Sequence, residues 1–309
     1  MARTMKVFEW RTLFDRNGLS GALRNFVPGL QNILLRYRLK ICAPSLRAIL
    51  LILCGCLTLT GAQAAPATNV PPMKQKMQIY LLMGQSNMAG RGKIEAEDQT
   101  PHPRVLMFTL EDEWEPAIEP ITHDKPTMLG VGPGLAFGKA MAAKEPGVTI
   151  GLVPCAYGGT PLSRWERGGD LYSNAVERAR LAMRDGTLAG ILWHQGESDS
   201  GTASHANTYG DRLAAMIRSI RADLGSPDLP FVAGQIGEFL YDRGPDKSPY
   251  ARVVNEALAK LPEKVPATGC ALSKGLKDKG DVLHFDAASQ RELGRRYAAE
   301  MTRLQAGKR

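Results

Sequence analysis

Cysteine is scarce in this sequence, and the spacings by which cysteine and histidine bind metals are absent. Five of the 309 residues are cysteine, and Cys42, Cys54 and Cys56 fall within the first 64. Cys155 and Cys270 lie in apolar, strand-like stretches, where a buried free thiol and a disulfide are equally reasonable, so their pairing stays open. Because no C-x-x-C or HExxH motif occurs, a zinc-finger or zincin-type site is not expected.

Aromatic residues make up only 6% of the chain, and neither sign of charge dominates its main part. With 44% hydrophobic and 23% charged residues, the composition is that of a globular protein, which excludes collagen-like, wholly disordered and polytopic membrane proteins. The net charge of +8 comes mostly from residues 1–64, with nine basic and two acidic side chains. Residues 65–309 carry 30 basic and 29 acidic groups, so a nucleic-acid-binding surface is not expected.

The N-terminal segment has the pattern of an export signal. Basic residues between positions 36 and 47 precede an apolar run at 48–59, and residues 61–66, GAQAAP, contain an A-x-A cleavage signal. The run is shorter than the ~20 apolar residues of a membrane-spanning helix. A signal peptide cleaved after Ala64 is therefore favoured over a retained membrane anchor, with lipid attachment at Cys56 as the weakest alternative.

The expected organisation has three parts. Residues 1–64 form an N-terminal extension and signal peptide, residues 65–76 a linker rich in Pro, Ala and Lys, and residues 77–305 one domain. We expect export to the periplasm or the medium, with no stable membrane partner after cleavage. Retention of the apolar segment would instead anchor the protein to a membrane. The sequence leaves the oligomeric state open.

Strand-like and helix-like stretches alternate along the predicted domain. Short apolar runs predict strands at 79–83, 105–110, 148–154, 188–193, 231–236 and 267–272. Apolar residues at helical spacing, or Ala-rich runs, predict helices at 135–144, 171–184, 209–224, 251–261 and 287–304. Asp286 is a suitable N-cap for the last of these helices. Such alternation predicts an α/β fold whose parallel sheet is covered on both faces.

Polar clusters follow three of the predicted strands, at the sheet edge where ligands bind in α/β folds. Residues 84–90, GQSNMAG, put Ser86 at a strand-to-helix turn, where its hydroxyl can act as a nucleophile and its N–H can hold an oxyanion. The same position suits a serine that only caps the helix. Residues 155–160, CAYGGT, contain two glycines that allow close approach to a ligand, as an ordinary loop also would. Trp165 is either a pocket wall or part of the core.

A third cluster, residues 194–199, HQGESD, follows the predicted strand 188–193. Six polar residues at a buried strand end are costly unless they face a site or form a network. The Gln195 amide can donate to a developing negative charge. Metal binding by His194, Glu197 and His205 is the alternative, although their spacing matches no known metal motif.

Residues 280–286, GDVLHFD, form the last cluster. Asp281 and His284 lie three residues apart, so that in a tight turn the carboxylate can orient the imidazole as a base for a serine nucleophile. A loop histidine beside a capping aspartate has the same local pattern.

The four clusters, in this order, resemble the SGNH/GDSL-type hydrolases. The resemblance is strongest to the branch with carbohydrate esterase family 6 and the sialate O-acetylesterase-like (SASA) domains. The matching pieces are residues 84–90, 158–160, 194–199 and 281–285, with 131–134 and 231–237 as further matches. The resemblance implies a three-layer α/β/α sandwich with a flavodoxin-like parallel sheet. It also implies that Ser86 is the nucleophile, His284 the general base and Asp281 its orienter.

By the same resemblance, an oxyanion hole is expected from backbone and side-chain donors. These are the Ser86 N–H, a glycine N–H from Gly159 or Gly158, with Gly159 favoured, and the Gln195 side chain. The wider superfamily has Asn where this sequence has Gln195, whereas this branch uses Gln. Further residues expected to support the site or form its wall are Gln85, Asn87, Glu197 and Trp165.

The implied activity is hydrolysis of O-acetyl groups on carbohydrate, either acetylxylan or an O-acetylated sialic acid or glycan, through an acyl-enzyme. The substrate is then the expected partner, with no metal or cofactor required. Two other functions stay open: a lipase or thioesterase of the same superfamily acting on longer acyl chains, and a glycan-binding module without turnover.

Overall fold

The computed structural model describes residues 76–244 and 246–307. The predicted leader, residues 1–64, and the predicted linker up to residue 75 lie outside the described residues. The signal peptide and the membrane anchor therefore stay predictions.

A seven-stranded sheet forms the centre of the described region. Its strands are β1 (Lys76–Gly84), β2 (Val105–Phe108), β3 (Trp114–Pro116), β4 (Val148–Pro154), β5 (Thr187–His194), β6 (Phe231–Gly234) and β7 (Thr268–Ala271). Their order across the sheet is β3-β2-β4-β1-β5-β6-β7. All neighbours are parallel except β2 and β3, which are antiparallel. The sheet is thus mixed rather than wholly parallel, because the edge strand β3 runs antiparallel to β2. β3 is only three residues long and was not predicted from the sequence.

Helices cover both faces of this sheet. They are α1 (Ser86–Ala89), α2 (Gly134–Lys144), α3 (Asp170–Ala182), α4 (Ala203–Asp223), α5 (Ala251–Ala259), α6 (Leu261–Lys264) and α7 (Ala287–Ala306). Buried side chains of α3 to α6 belong to one apolar cluster, and those of α2 and α7 belong to a second. The expected α/β fold, with a helical layer on each side of the sheet, is confirmed.

The central strand β1 shows why two layers form. Its side chains point alternately to opposite faces of the sheet. Ile79, Leu81 and Met83 belong to the apolar cluster of α3 to α6. Tyr80 and Leu82 belong to the cluster of α2 and α7. The apolar part of β1, residues 79–83, is therefore buried on both sides, as in other parallel sheets.

The helices depart from the predicted bounds mainly at their ends. α4 begins at Ala203, before the predicted residue 209, because the Thr202 side chain accepts a hydrogen bond from the His205 N–H and caps it. Asp286 caps α7 as predicted, accepting from the Ser289 N–H at 2.7 Å. None of the helices in the described ranges has the length and apolar character of a membrane-spanning segment.

Phe137 on α2 gives a test of this packing. It is fully buried, and its ring meets Tyr80 of β1 edge-on at 4.9 Å between centroids. We expect Phe137→Ala to lower the free energy of unfolding by about 3–5 kcal/mol, because the lost ring leaves a cavity. The exposed Lys144→Ala on the same helix should change it by no more than about 0.5 kcal/mol. Urea denaturation followed by circular dichroism measures both, and equal losses would contradict the described packing.

Candidate active site

Ser86 lies at the carboxyl edge of the sheet, just after β1. The preceding Gly84 has a φ of +132°, and a Cβ there would lie 2.0 Å from the His194 carbonyl oxygen, so only glycine fits. The Gln85 N–H donates to that same carbonyl at 2.8 Å. The chain therefore turns sharply after β1, and Ser86 begins the short helix α1.

His284 and Asp281 reach Ser86 from the loop between β7 and α7. The His284 Nε2 lies 3.0 Å from the Ser86 Oγ, and its Nδ1 lies 2.7 Å from the Asp281 Oδ2. The other carboxylate oxygen, Oδ1, accepts from the backbone N–H groups of Leu283 and His284 at 3.0 and 2.8 Å. The turn thus holds the carboxylate, and the carboxylate holds the imidazole against the serine hydroxyl.

These contacts control the ionisation of Asp281. Partial burial acts to raise its pKa, but the hydrogen bonds from the His284 backbone and imidazole and from the Leu283 N–H outweigh burial. The pKa of Asp281 is therefore below its usual value. An ionised carboxylate accepts the Nδ1–H of His284, which leaves the Nε2 free to accept a proton from Ser86.

The glycine pair after β4 lies against Ser86. A Cβ on Gly158 would come within 3.4 Å of the Ser86 Cβ. The Gly158 N–H donates to the Asp124 Oδ2 at 3.0 Å, so it is not available to an oxyanion. Of the two glycines expected as donors, only Gly159 is left. Among the described residues, the Gly159 and Ser86 N–H groups donate no hydrogen bond to the protein. Gly159 has a φ of +76°, a conformation that favours glycine.

The expectation that the Gln195 side chain donates to an oxyanion is wrong for this structure. Gln195 is fully buried, and its amide nitrogen donates to the Thr160 carbonyl at 3.1 Å and to the Asp199 Oδ2 at 2.6 Å. Both amide protons are thus used within the protein. Gln195 instead joins the loop after β5 to the glycine loop after β4.

Asn87 joins the Ser86 turn to the His284 loop. Its side-chain nitrogen donates to the Glu197 Oε1 at 2.6 Å and to the Leu283 carbonyl at 3.1 Å. Its side-chain oxygen accepts from the Phe285 N–H at 3.1 Å. Burial acts to raise the pKa of Glu197, but the adjacent His194 and the Asn87 amide lower it below its usual value.

Gln85 lines the pocket above Ser86, as expected, whereas Trp165 lies behind it. The Gln85 Oε1 accepts from the Ser198 N–H at 3.3 Å. Trp165 is fully buried, meets Trp193 edge-on at 5.4 Å between centroids, and donates from Nε1 to the Thr160 Oγ1. Trp165 was expected either to form a wall of the pocket or to be part of the core. It is part of the core, because its ring packs beneath the glycine loop.

Four charged residues near Ser86 were missed by the sequence analysis. Arg91 and Asp124 form a fully buried ion pair, and the same Asp124 oxygen holds the Gly158 N–H. Lys125 and Arg243 line the pocket. Arg91 directly follows the GQSNMAG motif, which could have drawn attention to it, whereas the segment around Asp124 carries no local signal.

The pocket above Ser86 has a volume of about 310 Å³. Its lining includes Ser86, His284, Gly158, Gly159 and Glu197. Within the described ranges, no group of three or more His, Cys, Asp or Glu side chains is placed to hold a metal ion. Cys155 and Cys270 are both free thiols. The groups that line the pocket include hydroxyls, an imidazole, a carboxylate, the cationic side chains of Lys125 and Arg243, and backbone N–H groups.

Comparison with known proteins identifies the family. The family described as carbohydrate esterase, sialic acid-specific acetylesterase matches residues 76–303. The chain belongs to this carbohydrate esterase family. A probable carbohydrate esterase of Arabidopsis thaliana, At4g34215, is 34% identical over 256 residues, which cover 76% of this chain and 95% of that protein. The esterase described here is thus a carboxylic ester hydrolase.

Solved structures agree with the fold of the esterase. The X-ray structure of the Arabidopsis protein has a TM-score of 0.67 at 34% identity, covering 73% of this chain and 98% of that one. NanS has a TM-score of 0.64 at 17% identity, covering 75% and 98%. XAC1771, a carbohydrate acetylesterase from Xanthomonas citri, has a TM-score of 0.58 at 22% identity, covering 74% and 57%. The last two show that the fold is shared.

Gln195→Ala separates bracing from oxyanion binding. As a brace, Gln195 donates to two buried acceptors, the Thr160 carbonyl and the Asp199 carboxylate, so we expect the variant to lose about 1–3 kcal/mol in free energy of unfolding. An oxyanion donor would instead lower kcat by about 10²–10³ with unfolding unchanged. Thermal denaturation and steady-state kinetics decide between them. Asn255→Ala is the matched control, because it removes a buried amide that bonds the Ile236 backbone outside the pocket.

Asp281→Asn tests the orientation of His284 and its pH dependence. An amide NH₂ facing Nδ1 would reverse the imidazole tautomer, so we expect kcat to fall by about 10²–10⁴. Because the folded pKa of Asp281 is depressed, its stabilising effect is present above the usual 3.8 and is lost as the pH falls through the lower folded value. The difference in unfolding free energy between wild type and Asp281→Asn should therefore shrink below about pH 4. A difference that stays constant from pH 3 to 7 would contradict this.

Proposed function

We propose that the protein is a serine esterase that removes O-acetyl groups from carbohydrate, with Ser86 as nucleophile, His284 as base and Asp281 as orienter. The observation that carries the proposal is the pair of contacts at His284, 3.0 Å to the Ser86 Oγ and 2.7 Å to the Asp281 Oδ2. A base within hydrogen-bond reach of the nucleophile and held by a third group is the arrangement that activates a serine.

The chemistry follows from these positions. His284 takes the hydroxyl proton while the Ser86 Oγ attacks the ester carbonyl, and the resulting oxyanion lies against the N–H groups of Ser86 and Gly159. His284 then gives the proton to the departing sugar hydroxyl, leaving an acetyl-enzyme. A water molecule then attacks this ester while His284 takes its proton. His284 gives that proton to the Ser86 Oγ as acetate leaves, which restores the Ser86 hydroxyl.

The size and lining of the pocket support a small acyl group. Its volume of about 310 Å³ is near the lower end of the range of about 300–1,000 Å³ for small-molecule sites. Eight of its twelve lining residues are polar or charged, and Met128 and Leu283 supply the larger apolar side chains. A lipase or thioesterase acting on long acyl chains would need an apolar groove, so acetyl is favoured.

The family and its members support a carbohydrate as the alcohol part of the ester. The family description names sialic acid-specific acetylesterases, and the Arabidopsis relative is a probable carbohydrate esterase. O-acetylated sialic acid and acetylxylan are accordingly the two substrates we propose. The export signal predicted within residues 1–64 would place the protein outside the cytoplasm, where it would act on glycans of the cell surface or the medium.

Ser86→Ala tests the proposal. We expect acetate release from p-nitrophenyl acetate to fall at least ~10³-fold, because the nucleophile is lost. Ser198→Ala is the matched control: it changes another serine that lines the pocket but lies outside the proposed triad. Unfolding curves show whether each variant is folded.

The substrate is then chosen by acetate release from acetylated xylan and from O-acetylated sialic acid. Acetate release that depends on Ser86 supports the esterase. The substrate that is hydrolysed faster identifies the sugar that carries the acetyl group. Turnover near the wild-type rate in Ser86→Ala would reject the proposed nucleophile. Glycan binding without any ester cleavage by the wild type would support the binding-module alternative.

A further inference from the structure

A second cleft, of about 670 Å³, lies beside the Ser86 pocket. Two segments of chain contribute to both cavities. Lys125 and Gly158 line the pocket, and their neighbours Asp124 and Tyr157 line the cleft. The opposite wall of the cleft comes from α3. The two cavities are therefore neighbours along the segments 124–125 and 157–158.

Tyr157 stands at the boundary between the two cavities. Its side chain is 41% exposed. Its backbone is fixed, since its N–H donates to the Gly84 carbonyl at 2.9 Å and its carbonyl accepts from the Thr160 Oγ1 at 2.7 Å. The Lys125 Nζ lies 5.8 Å and the Arg164 guanidinium 5.4 Å from the ring centre. The ring is thus a partly exposed aromatic surface on a rigid backbone, with these two cationic groups lying over it and adding hydrogen-bond donors.

Exposed apolar side chains concentrate around these cavities. Five large hydrophobic residues are exposed in the described ranges: Leu110, Met128, Tyr157, Leu272 and Val282. Leu110 and Tyr157 line the cleft, Met128 lines the pocket, and Val282 precedes the pocket residue Leu283. Only Leu272 lies elsewhere. Apolar surface that gathers around a cavity, rather than scattering, is typical of a binding site.

The α3 side of the cleft presents exposed polar groups. Asn174 and Glu177, three residues apart on one face of the helix, are exposed and make no side-chain hydrogen bond or ion pair within the described residues. The exposed ion pair between Arg164 and Asp170 lines the same cleft. An amide and a carboxylate opposite an aromatic ring, with the Arg164 guanidinium over that ring, match a sugar, whose hydroxyls need donors and acceptors and whose C–H face needs apolar cover.

We propose that this cleft is a subsite for the glycan chain: it binds the sugar units next to the acetylated one, with Tyr157 as the platform between them. The inference rests on the proposed function and extends it to the length of the substrate. A volume of about 670 Å³ lies within the range of about 300–1,000 Å³ of small-molecule sites and is larger than the Ser86 pocket. The enzyme therefore prefers acetylated oligosaccharides to acetylated monosaccharides.

Paired substrates test the subsite. Acetylated xylotriose is compared with acetylated xylose, and O-acetylated sialyllactose with free O-acetylated sialic acid. For the sugar that is hydrolysed, we expect kcat/KM to be higher on the oligosaccharide. Tyr157→Ala should reduce the ratio of oligosaccharide to monosaccharide kcat/KM about tenfold, mainly through KM. Tyr157→Phe, which keeps the ring, should retain the ratio within about twofold.

Two further variants complete the test. Glu177→Gln should lower the ratio in the same direction as Tyr157→Ala, since it changes a polar group on the opposite wall. Leu272→Ala is the control, because it removes an exposed apolar side chain outside both cavities, and it should leave the ratio unchanged.

Three results would overturn the subsite. One is equal kcat/KM of the wild type on the oligosaccharide and the monosaccharide. Another is an equal loss on both substrates in Tyr157→Ala, which would mean that Tyr157 acts on the glycine loop. The third is cleavage of p-nitrophenyl acetate without cleavage of any of the four sugar esters. Failure of the proposed function looks different, because p-nitrophenyl acetate cleavage would then be absent or would persist in Ser86→Ala.

Discussion

The pocket depends on how the carboxyl end of β1 is held between its two neighbouring strands. The Gln85 N–H donates to the His194 carbonyl of β5, and the Tyr157 N–H, just beyond β4, donates to the Gly84 carbonyl. At this point β1 lies so close to β5 that any Cβ on Gly84 would overlap the His194 oxygen. The position of Ser86 is therefore set by backbone hydrogen bonds and one glycine, whereas its own side chain stays available for chemistry.

A buried polar network extends this constraint to the rest of the site. Asn87 contacts Glu197, and the Glu197 Oε1 lies 3.6 Å from the His194 Nε2. The His194 Nδ1 lies 3.1 Å from the Tyr297 hydroxyl, which itself donates to the Trp193 carbonyl at 2.7 Å. Because an unpaired polar group in the interior is costly, such a network favours a single arrangement. It ties the Ser86 turn to β5 and α7, which helps to keep Ser86 beside His284.

A buried ion pair also fixes the backbone next to Ser86, on the side of the glycine loop. The Arg91–Asp124 pair is fully buried, and its carboxylate also holds the Gly158 N–H. Replacing such a pair by apolar residues need not destabilise a protein, so its value here lies in geometry rather than in stability. It fixes the turn at Gly158, next to the Gly159 N–H that we propose as an oxyanion donor. A donor that is already in place needs no reorganisation during the reaction.

The sequence by itself determined the features that depend on neighbours along the chain: the alternation of strands and helices, the turn at Ser86 and the Asp281–His284 pair, whose contacts span three residues. Only the tertiary structure decided the order of the strands, the edge strand β3, the burial of Trp165 and the partners of two polar side chains. Asp124 reaches Gly158 across 34 positions, and Gln195 reaches Thr160 across 35. A local pattern shows that a side chain can donate or accept a hydrogen bond. Which partner it meets is settled by the pairing of distant strands, because that pairing brings their loops together at one edge of the sheet.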